Sequence, residues 1–355
     1  EWLWRRRAMS KPFTHAAALA NDAPMTAAAE AAARRVAAAA PGRVDLYPEM
    51  VTASCDVICD LALSGRDAVD RAALADSVNA YVAGAARISI LDMLGAPAWL
   101  PRPGELLDRT RARMDRMIDG VIAARKARGP SDPLDFLDLM LAARDPETGR
   151  ALDDVDLRND LAGFLFAGHE TTALGLTWAL WLLAADPAMQ DRAAEEARAA
   201  LGDGPAAAEH LPALGHCRRV VEEALRLFPP AGFLTRTAME DDELSGRPVR
   251  RGMTVILPIY ALHRNERLWD APLRPDPDRF LPEAVKARHR FAYLPFGAGP
   301  RICIGASLAL VEATIILATV ISRVRVGAPE GFRPELRMWF TLRPGDGMKL
   351  DVAPR

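Results

Sequence analysis

The sequence is poor in cysteine, aromatic residues and net charge, and each shortage narrows the class of protein. Four cysteines among 355 residues, at Cys55, Cys59, Cys217 and Cys303, are too few for a disulfide framework. Cys55 and Cys59 could share a helix face and bind a metal, but no neighbouring histidine completes such a site, so buried packing is favoured. Aromatic residues, which could stack on nucleic-acid bases, make up only 6%. The net charge is −2, so the protein has no overall positive charge that would attract nucleic acid. Hydrophobic residues make up 50%, enough for a large core, and we expect a protein of a reducing compartment, the cytoplasm.

The N-terminus lacks the pattern of a signal peptide, and the chain begins with Glu1 rather than methionine. One apolar stretch, residues 161–185, approaches membrane-spanning length. Gly168, His169 and Glu170 lie inside that stretch, and charged residues in a membrane are costly. We therefore expect a buried core helix and no membrane association.

Hydrophobic periodicity predicts a mainly helical chain with a small β region. Helices are predicted over residues 27–40 with Thr26 as the N-cap, and about 61–94, 105–128, 153–185, 189–201, 217–228 and 304–324. A period of two predicts strands over 233–237 and 250–260 with a turn at 245–248 between them. Residues 337–352, interrupted by 344–347, predict a terminal hairpin.

A glycine-rich loop, FGAGPRICIG at residues 296–305, carries the strongest chemical signal. It places Cys303 at the mouth of an apolar helix, where the helix dipole and unpaired N–H groups lower a thiol pKa, so that the thiol can bind iron as the anion. Gly299 and Gly305 permit close approach to a flat macrocycle, and Phe296 can shield the sulfur. The pattern indicates a thiolate ligand to haem iron; the alternative is an ordinary buried cysteine beside a turn.

The spacing Phe-x-x-Gly-x-Arg-x-Cys-x-Gly resembles the haem-binding signature of the cytochrome P450 family of haem-thiolate monooxygenases. The resemblance implies a cytochrome P450 fold and a haem b, iron protoporphyrin IX, bound by Cys303. The residues implied to surround the haem are Phe296, Gly299, Arg301 and Gly305. Family members begin with helices and sheet strands that this sequence does not show. We therefore expect residues 1–355 to form a single cytochrome P450 domain that lacks those N-terminal elements.

Other arginines resemble the contacts that the family makes with the two haem propionates. Trp2 and Arg6 match the family's Trp-x-x-x-Arg motif, and Arg236 lies in a predicted strand. Each of them, like Arg301, could bind a propionate through its planar guanidinium group. Taken singly, each is also compatible with an ordinary surface residue.

The motif Ala167-Gly168-His169-Glu170-Thr171-Thr172 lies within the long apolar helix. Ala167, Glu170 and Thr171 share one helix face, and the motif resembles the family's acid-alcohol pair. The resemblance implies that small residues leave room for dioxygen and that Glu170 and Thr171 are catalytic groups that supply protons. The alternative is a helix loosened at Gly168, with Thr171 bonded to a preceding carbonyl. A zinc-protease motif is excluded, because the second histidine it requires at position 173 is alanine.

Glu223 and Arg226 lie three residues apart, and Pro277-Asp278-Arg279-Phe280 follows downstream. These segments resemble the family's Glu-x-x-Arg pair and the Pro-x-Arg-Phe segment that completes a structural charge triad. The resemblance implies a triad of Glu223, Arg226 and Arg279. A surface helix pair is the alternative. His263 is interpreted as an ordinary histidine at the end of a strand.

The predicted substrate pocket is apolar and is drawn from three segments of the chain. Its residues are Phe166, Ala167, Ala231, Phe233, Leu234 and Phe340. This composition predicts a lipophilic small organic substrate such as a terpenoid, fatty acid or aromatic compound.

The resemblance implies insertion of one atom of O2 into the substrate, with electrons from NAD(P)H delivered by separate proteins. The alanine and arginine richness favours the bacterial class, supplied by a ferredoxin and its reductase. Arg5, Arg7 and Lys11 are predicted to contribute to a basic docking patch for an acidic partner. Two alternatives stay open: a haem-thiolate peroxygenase driven by hydrogen peroxide, and a non-catalytic remnant.

Overall fold

The computed structural model describes residues 2–63, 77, 105–132 and 134–355, and helices dominate this part of the chain. The helices, numbered over these residues, are α1 (Trp2–Met9), α2 (His15–Ala20), α3 (Asp22–Ala38), α4 (Leu46–Ala62), α5 (Glu105–Arg128), α6 (Phe136–Leu141), α7 (Asp154–Ala185), α8 (Pro187–Leu201), α9 (Gly215–Leu227), α10 (Ile259–Leu262), α11 (Pro282–Ala287) and α12 (Ala306–Arg323). The predicted fold class, mainly α with a small β region, is confirmed.

Five of the predicted helices, α5, α7, α8, α9 and α12, are confirmed to within about three residues at each end. The predicted N-cap at Thr26 is wrong, because α3 begins at Asp22 after Asn21. The Thr26 hydroxyl instead donates to the Ala206 carbonyl at 3.0 Å. Most of the helix predicted over residues 61–94 lies outside the described residues.

Capping side chains explain where the helices around the site begin. The Asp153 carboxylate accepts from the N–H of Asp156 at 2.7 Å and caps α7. Asp186 accepts from the N–H of Met189 at 3.0 Å, and Pro187 occupies the first position of α8. The long α7 therefore ends where α8 turns away.

Nine short strands complete the described part: β1 (Gly42–Asp45), β2 (Leu234–Thr237), β3 (Asp242–Leu244), β4 (Arg247–Val249), β5 (Thr254–Leu257), β6 (Val324–Gly327), β7 (Leu336–Met338), β8 (Leu342–Pro344) and β9 (Lys349–Pro354). One sheet has the order β1-β9-β6, and the antiparallel pairs β2-β5, β3-β4 and β7-β8 stand beside it. Leu234 lies opposite Leu257 in the β2-β5 register.

The predicted strands are confirmed in part. The strand expected over 250–260 is only four residues long, because the chain enters α10 at Ile259. The terminal hairpin turns at residues 339–341 and not at 344–347. Residues after 344 lead into β9, which pairs with β1 at residues 42–45 and with β6.

The hydrophobic core lies around α7, which packs against α4, α5, α9 and α12. Trp178 of α7 is fully buried, stacks on Phe228 with ring centres 4.3 Å apart, and donates to the Leu342 carbonyl at 3.2 Å. The second half of α7 is almost wholly buried, so the apolar stretch at 161–185 is confirmed as a core helix. Among the described helices, α12 is long and apolar enough to cross a membrane, but 72% of it is buried in this fold, as is typical of a core helix.

Candidate active site

Backbone hydrogen bonds close the loop that carries Cys303. The Cys303 N–H donates to the Phe296 carbonyl at 2.9 Å, and the Ile302 N–H donates to the Gly299 carbonyl at 3.0 Å. Gly297 and Gly299 both have a φ of 72°, which other residues rarely adopt. The glycines let the chain fold back on itself and fix Cys303 just before α12.

The Cys303 residue is exposed at the surface of the fold. A Cβ added to Gly305 would lie 4.0 Å from the Cys303 Sγ. Protein atoms packed around the rest of the thiol raise its pKa above the ordinary value of 9.0, while the Gly305 N–H and the charge of Arg6 act in the opposite direction. The expected lowering of the pKa at the start of α12 is thus present through the Gly305 N–H, but burial outweighs it. Coordination to a metal cation deprotonates a thiol outright.

Two of the predicted propionate arginines lie beside the Cys303 loop. Arg6 Nη1 donates to the Ile302 carbonyl at 2.7 Å. The guanidinium carbon of Arg301 lies 3.9 Å from the centre of the Trp2 ring. These contacts join α1 to the loop. Arg236 is exposed on β2 and donates to the adjacent Thr235 carbonyl, so its contact with a propionate stays a prediction.

A cavity of about 510 Å³ lies beside α1, α7 and the Cys303 loop. Its lining residues are Trp2, Arg5, Arg6, Met9, Asp160, Phe164 and Ile304. The volume falls in the usual range for cofactor sites. Aromatic and aliphatic walls suit a flat apolar macrocycle, the guanidinium of Arg6 suits a carboxylate, and Cys303, next to Ile304, supplies a soft sulfur ligand. The residues present therefore fit a haem.

The middle of α7 has one open face and one packed face. Ala167 is exposed and Thr171 is half-buried, and the Thr171 hydroxyl donates to the Ala167 carbonyl at 2.6 Å. The back-bonded alternative is thus observed, but a hydroxyl keeps acceptor capacity for a further donor. Gly168 faces α4, where a Cβ would lie 3.2 Å from the Ile58 side chain. Its small size therefore serves helix packing, and the space expected for dioxygen stays a prediction.

The Glu170 carboxylate is held by three donors that the sequence reasoning missed. It accepts from the Tyr47 hydroxyl at 2.8 Å, from the Thr341 hydroxyl at 3.0 Å and from Arg343 Nη2 at 2.7 Å. Burial is the main reason that the Tyr47 pKa is raised above its ordinary value, with the Glu170 charge adding to it. No sequence motif marks these partners, because they come from α4 and from the β7-β8 hairpin.

The structure brings several predicted pocket residues to the same hairpin. The rings of Phe166 and Phe340 meet edge-to-face at 5.3 Å, and Phe340 is 56% exposed. The Leu342 N–H donates to the Pro230 carbonyl, which holds the following segment with Ala231, Phe233 and Leu234 beside the hairpin. Leu234 also lies against the Cys303 loop, since a Cβ on Gly297 would be 3.4 Å from its Cδ1. Their contact with a substrate stays a prediction.

The three residues of the predicted charge triad lie together. Glu223 and Arg226 are fully buried and form two hydrogen bonds of 2.7 Å, and Arg279 Nε lies 3.8 Å from Glu223. Arg226 also donates to the carbonyls of His263 and Pro272. This network anchors α9 to the loops that follow it.

His263 is not a strand-end histidine, because it follows α10 and is fully buried. The Leu294 N–H donates to its Nε2 at 2.8 Å, so Nδ1 carries the proton and donates to the Arg226 carbonyl at 3.1 Å. Burial lowers its pKa to about 3, and the ring stays neutral. His263 thus links the triad to the segment just before Phe296.

The basic docking patch expected at the start of the chain is wrong for two of its members. Arg5 pairs with Asp156 and Asp160, at 3.2 and 2.6 Å. Arg7 pairs with Asp145 and Glu147, at 2.7 and 3.0 Å. Their charges are balanced inside the chain.

The sequence profile of the cytochrome P450 family matches residues 1–348. The chain belongs to the cytochrome P450 family. Haem b is the cofactor of this family.

Two curated cytochrome P450 relatives come from Streptomyces melanosporofaciens. Cyclooctatin synthase is 36% identical over 345 residues, which are 96% of this chain and 74% of that protein. Cyclooctat-9-en-7-ol 5-monooxygenase is 40% identical over 66% of this chain and 51% of that protein. Cytochrome P450 4c3 of Drosophila melanogaster is 37% identical over 64% of this chain and 43% of that protein. The chain thus spans about three quarters of the first relative and about half of the other two.

The fold matches a solved cytochrome P450. The crystal structure of the cytochrome P450DA heme domain superposes with a TM-score of 0.88 at 28% identity, over 99% of this chain and 76% of that chain. The predicted cytochrome P450 fold is confirmed.

Proposed function

We propose that this cytochrome P450 is a haem-thiolate monooxygenase that inserts one atom of O2 into a lipophilic organic substrate. The observation that carries the proposal is the exposed Cys303 thiol in a hydrogen-bonded glycine loop beside a cavity lined by Trp2 and Arg6. A relative that covers 66% of the chain is named a monooxygenase, which supports the same reaction class.

Residues of the loop and of α1 would hold the haem. Cys303 would bind the iron through sulfur, and the Gly305 N–H near that sulfur would limit its negative charge. The guanidinium groups of Arg6 and Arg301 lie beside the Cys303 loop and would bind the haem carboxylates. When bound, haem supplies oxygen activation, to which a thiolate ligand donates electron density.

Thr171 and Glu170 would handle protons on α7. The Thr171 hydroxyl holds its proton against the Ala167 carbonyl and can turn it towards another acceptor. Glu170 is ion-paired with Arg343 and accepts from Tyr47 and Thr341, so these three groups fix the position of its carboxyl. The β7-β8 hairpin that carries Phe340 thus also sets the position of the acid.

We infer a bulky apolar substrate that contacts Phe166 and Phe340 and the segment 231–234. The name of the relative cyclooctat-9-en-7-ol 5-monooxygenase supports a cyclic alkenol as the first compound to test, with a fatty acid as the linear comparison. We further propose that NAD(P)H electrons arrive through a ferredoxin and its reductase, that the protein works in the cytoplasm, and that it binds neither membrane nor nucleic acid. The near-zero net charge supports the last point.

The decisive experiment is the carbon-monoxide difference spectrum of the reduced, haem-loaded chain and of Cys303→Ser. We expect a thiolate-type Soret band in the parent that is lost in the variant. A parent without that band, or a variant that keeps it, would overturn the ligand assignment. Product formation is then assayed with a ferredoxin and reductase and, separately, with hydrogen peroxide alone. Turnover with peroxide alone would establish the peroxygenase instead.

Thr171→Ala tests the proton role. Loss of the hydroxyl should raise hydrogen peroxide release per NAD(P)H by about tenfold or more and lower product accordingly, since positioned proton transfer contributes about 10²–10⁴-fold. Thr177→Ala is the matched control, because its hydroxyl bonds only the Ala173 carbonyl in the buried half of the same helix. Equal coupling in Thr171→Ala and the parent would exclude this role.

A further inference from the structure

Glu312 is a charged residue type in the middle of the apolar helix α12, and neither the Cys303 site nor the charge triad uses it. Its side chain is 4% exposed, and Oε1 lies 2.9 Å from the hydroxyl of Ser54 on α4. The same Ser54 hydroxyl lies 3.0 Å from the carbonyl oxygen of Gly168 on α7. One fully buried serine therefore connects α12 to the helix that carries Glu170 and Thr171.

The number of hydrogens that can be donated among Ser54, Gly168 and Glu312 determines whether the Glu312 carboxyl is protonated. A serine hydroxyl has one hydrogen to donate, whereas a backbone carbonyl can only accept. Both contacts are hydrogen bonds only if Ser54 donates to Gly168 and Glu312 donates to Ser54. If Glu312 were ionised, the serine would turn to the stronger charged acceptor and leave the Gly168 carbonyl.

The surroundings favour the neutral acid. Within the described part of the chain no cation pairs with Glu312, and burial raises its pKa to about 8 from 4.5. Charged groups of α3 and α2 meet α12 at its ends, where Glu30 of α3 pairs with Arg323 and His15 of α2 contacts Ser307. On α8 and α9, which also pack against α12, Glu196 accepts from the N–H groups of His216 and Cys217, and Glu223 pairs with Arg226. On α7, the ionisable neighbours of Gly168 are accounted for: burial lowers the His169 pKa and keeps that ring neutral, and Glu170 is paired with Arg343.

The Gly168 carbonyl occupies a particular place on α7. Ser54 and Ile58 lie one turn apart on α4, and both contact Gly168, whose lack of a Cβ permits the approach. The preceding carbonyl, that of Ala167, accepts the Thr171 hydroxyl. Two consecutive carbonyls thus each carry an extra hydroxyl bond at the segment that would handle protons.

We propose that Glu312 is a positioning residue: as a carboxylic acid it donates to Ser54, which donates to the Gly168 carbonyl and fixes residues 167–171 of α7. This role rests on the proposed function for its consequence in catalysis, but the hydrogen-bond chain itself does not. The acid couples the helix that follows the thiolate ligand to the helix that carries the proton-handling pair.

Four variants of the haem-loaded chain test the proposal. Glu312→Gln keeps a donor for Ser54, Glu312→Leu removes it at similar volume, and Ser54→Ala removes the intermediate hydroxyl. Thr314→Val is the matched control, because Thr314 is equally buried in α12 but, among the residues that the structure describes, its hydroxyl bonds only the Leu310 carbonyl of the same helix.

The first measurement is infrared difference spectroscopy in the carbonyl-stretch region of protonated carboxylic acids, at pH 6.5. We expect one such band in the parent, lost in both Glu312 variants, shifted in Ser54→Ala and unchanged in Thr314→Val. If Glu312→Gln removes no acid band, Glu312 is ionised and the proposal is overturned.

The second measurement is amide hydrogen exchange over residues 166–173. Loss of one buried hydrogen bond should speed exchange about two- to tenfold in Glu312→Leu and Ser54→Ala, and leave Glu312→Gln and Thr314→Val near the parent. Equal exchange in Glu312→Leu and the parent overturns the proposal, as does equal acceleration in Glu312→Gln and Glu312→Leu.

The carbon-monoxide spectrum of the same parent sample separates this inference from the proposed function. Absence of the thiolate-type band would defeat the proposed function while the infrared and exchange results still decide the role of Glu312. A normal band with no acid signal from Glu312 would defeat the inference alone.

Discussion

A neutral Glu312 makes the stability of the fold depend on pH in a defined direction. In the unfolded chain this carboxyl ionises near 4.5, whereas in the fold it stays protonated up to about pH 8. Between those values the unfolded state gains a favourable ionisation that the folded state lacks. The Glu312 carboxyl therefore does not change the unfolding free energy below pH 4.5. It lowers that free energy progressively as the pH rises, and the full loss is reached above about pH 8.

The magnitude follows from the two pKa values. At about 1.36 kcal/mol per pKa unit, the rise from 4.5 to about 8 corresponds to about 5 kcal/mol of unfolding free energy. Glu312→Gln keeps the shape and a donor but has no ionisation to lose. The stability of the variant relative to the parent should therefore rise by about 5 kcal/mol between pH 4.5 and pH 8.

The assay is urea unfolding of the haem-loaded parent and variant, followed by far-ultraviolet circular dichroism at several pH values across that window. Comparing the two proteins at each pH cancels the titration of every other group. Thr314→Val, which changes no titratable group, should shift the midpoint equally at every pH. A difference between Glu312→Gln and the parent that is constant across the window would refute the reasoning.

Three further predictions concern the other buried polar groups. Glu223→Ala leaves the guanidinium of Arg226 buried and unpaired, so unfolding free energy should fall by about 3–5 kcal/mol and haem content should drop; full haem content would count against the triad. Arg343→Met should destabilise by about 1–3 kcal/mol, and Glu170→Gln in that background should recover part of the loss in a double-mutant cycle. His263 stays neutral to about pH 3 in the fold but takes up a proton near 6.5 when unfolded, so the parent should lose stability as the pH falls through that range. His263→Gln should lose less over the same range, and parallel acid curves for the two proteins would contradict this.

Glu312 and His263 each link two parts of the fold near the Cys303 loop. One joins α12 to α7 behind the Cys303 loop, and the other joins the charge triad to the residues before Phe296. Both use a neutral ring or carboxyl, because burying a charge is costly. These uncharged hydrogen bonds stand beside the charged contact that Arg6 makes with the Ile302 carbonyl of the loop.

The local sequence determined much of this protein. The apolar periods of α5, α7, α8, α9 and α12 suffice to place those helices. Asp186-Pro187 marks the end of α7 and Pro229-Pro230 follows the end of α9, because a helix is a local structure that proline interrupts. The glycines around Cys303 are also local, since a positive φ and a tight loop depend on residues a few positions apart. The motif at residues 296–305 therefore predicted the ligand and the family before any contact was known.

Tertiary structure decided the contacts between side chains that lie far apart along the chain. Glu170 is bound by Tyr47, Thr341 and Arg343, which lie 123 to 173 residues away along the chain, and no local pattern records such a contact. The register of the last strands was likewise decided by pairing with β1 and β6 and not by the turn residues before them. The contact of Glu312 with Ser54 of α4, and through Ser54 with the Gly168 carbonyl of α7, likewise exists only in the packed fold. The protonation of this buried carboxyl was decided there too, because it is set by the groups that surround it.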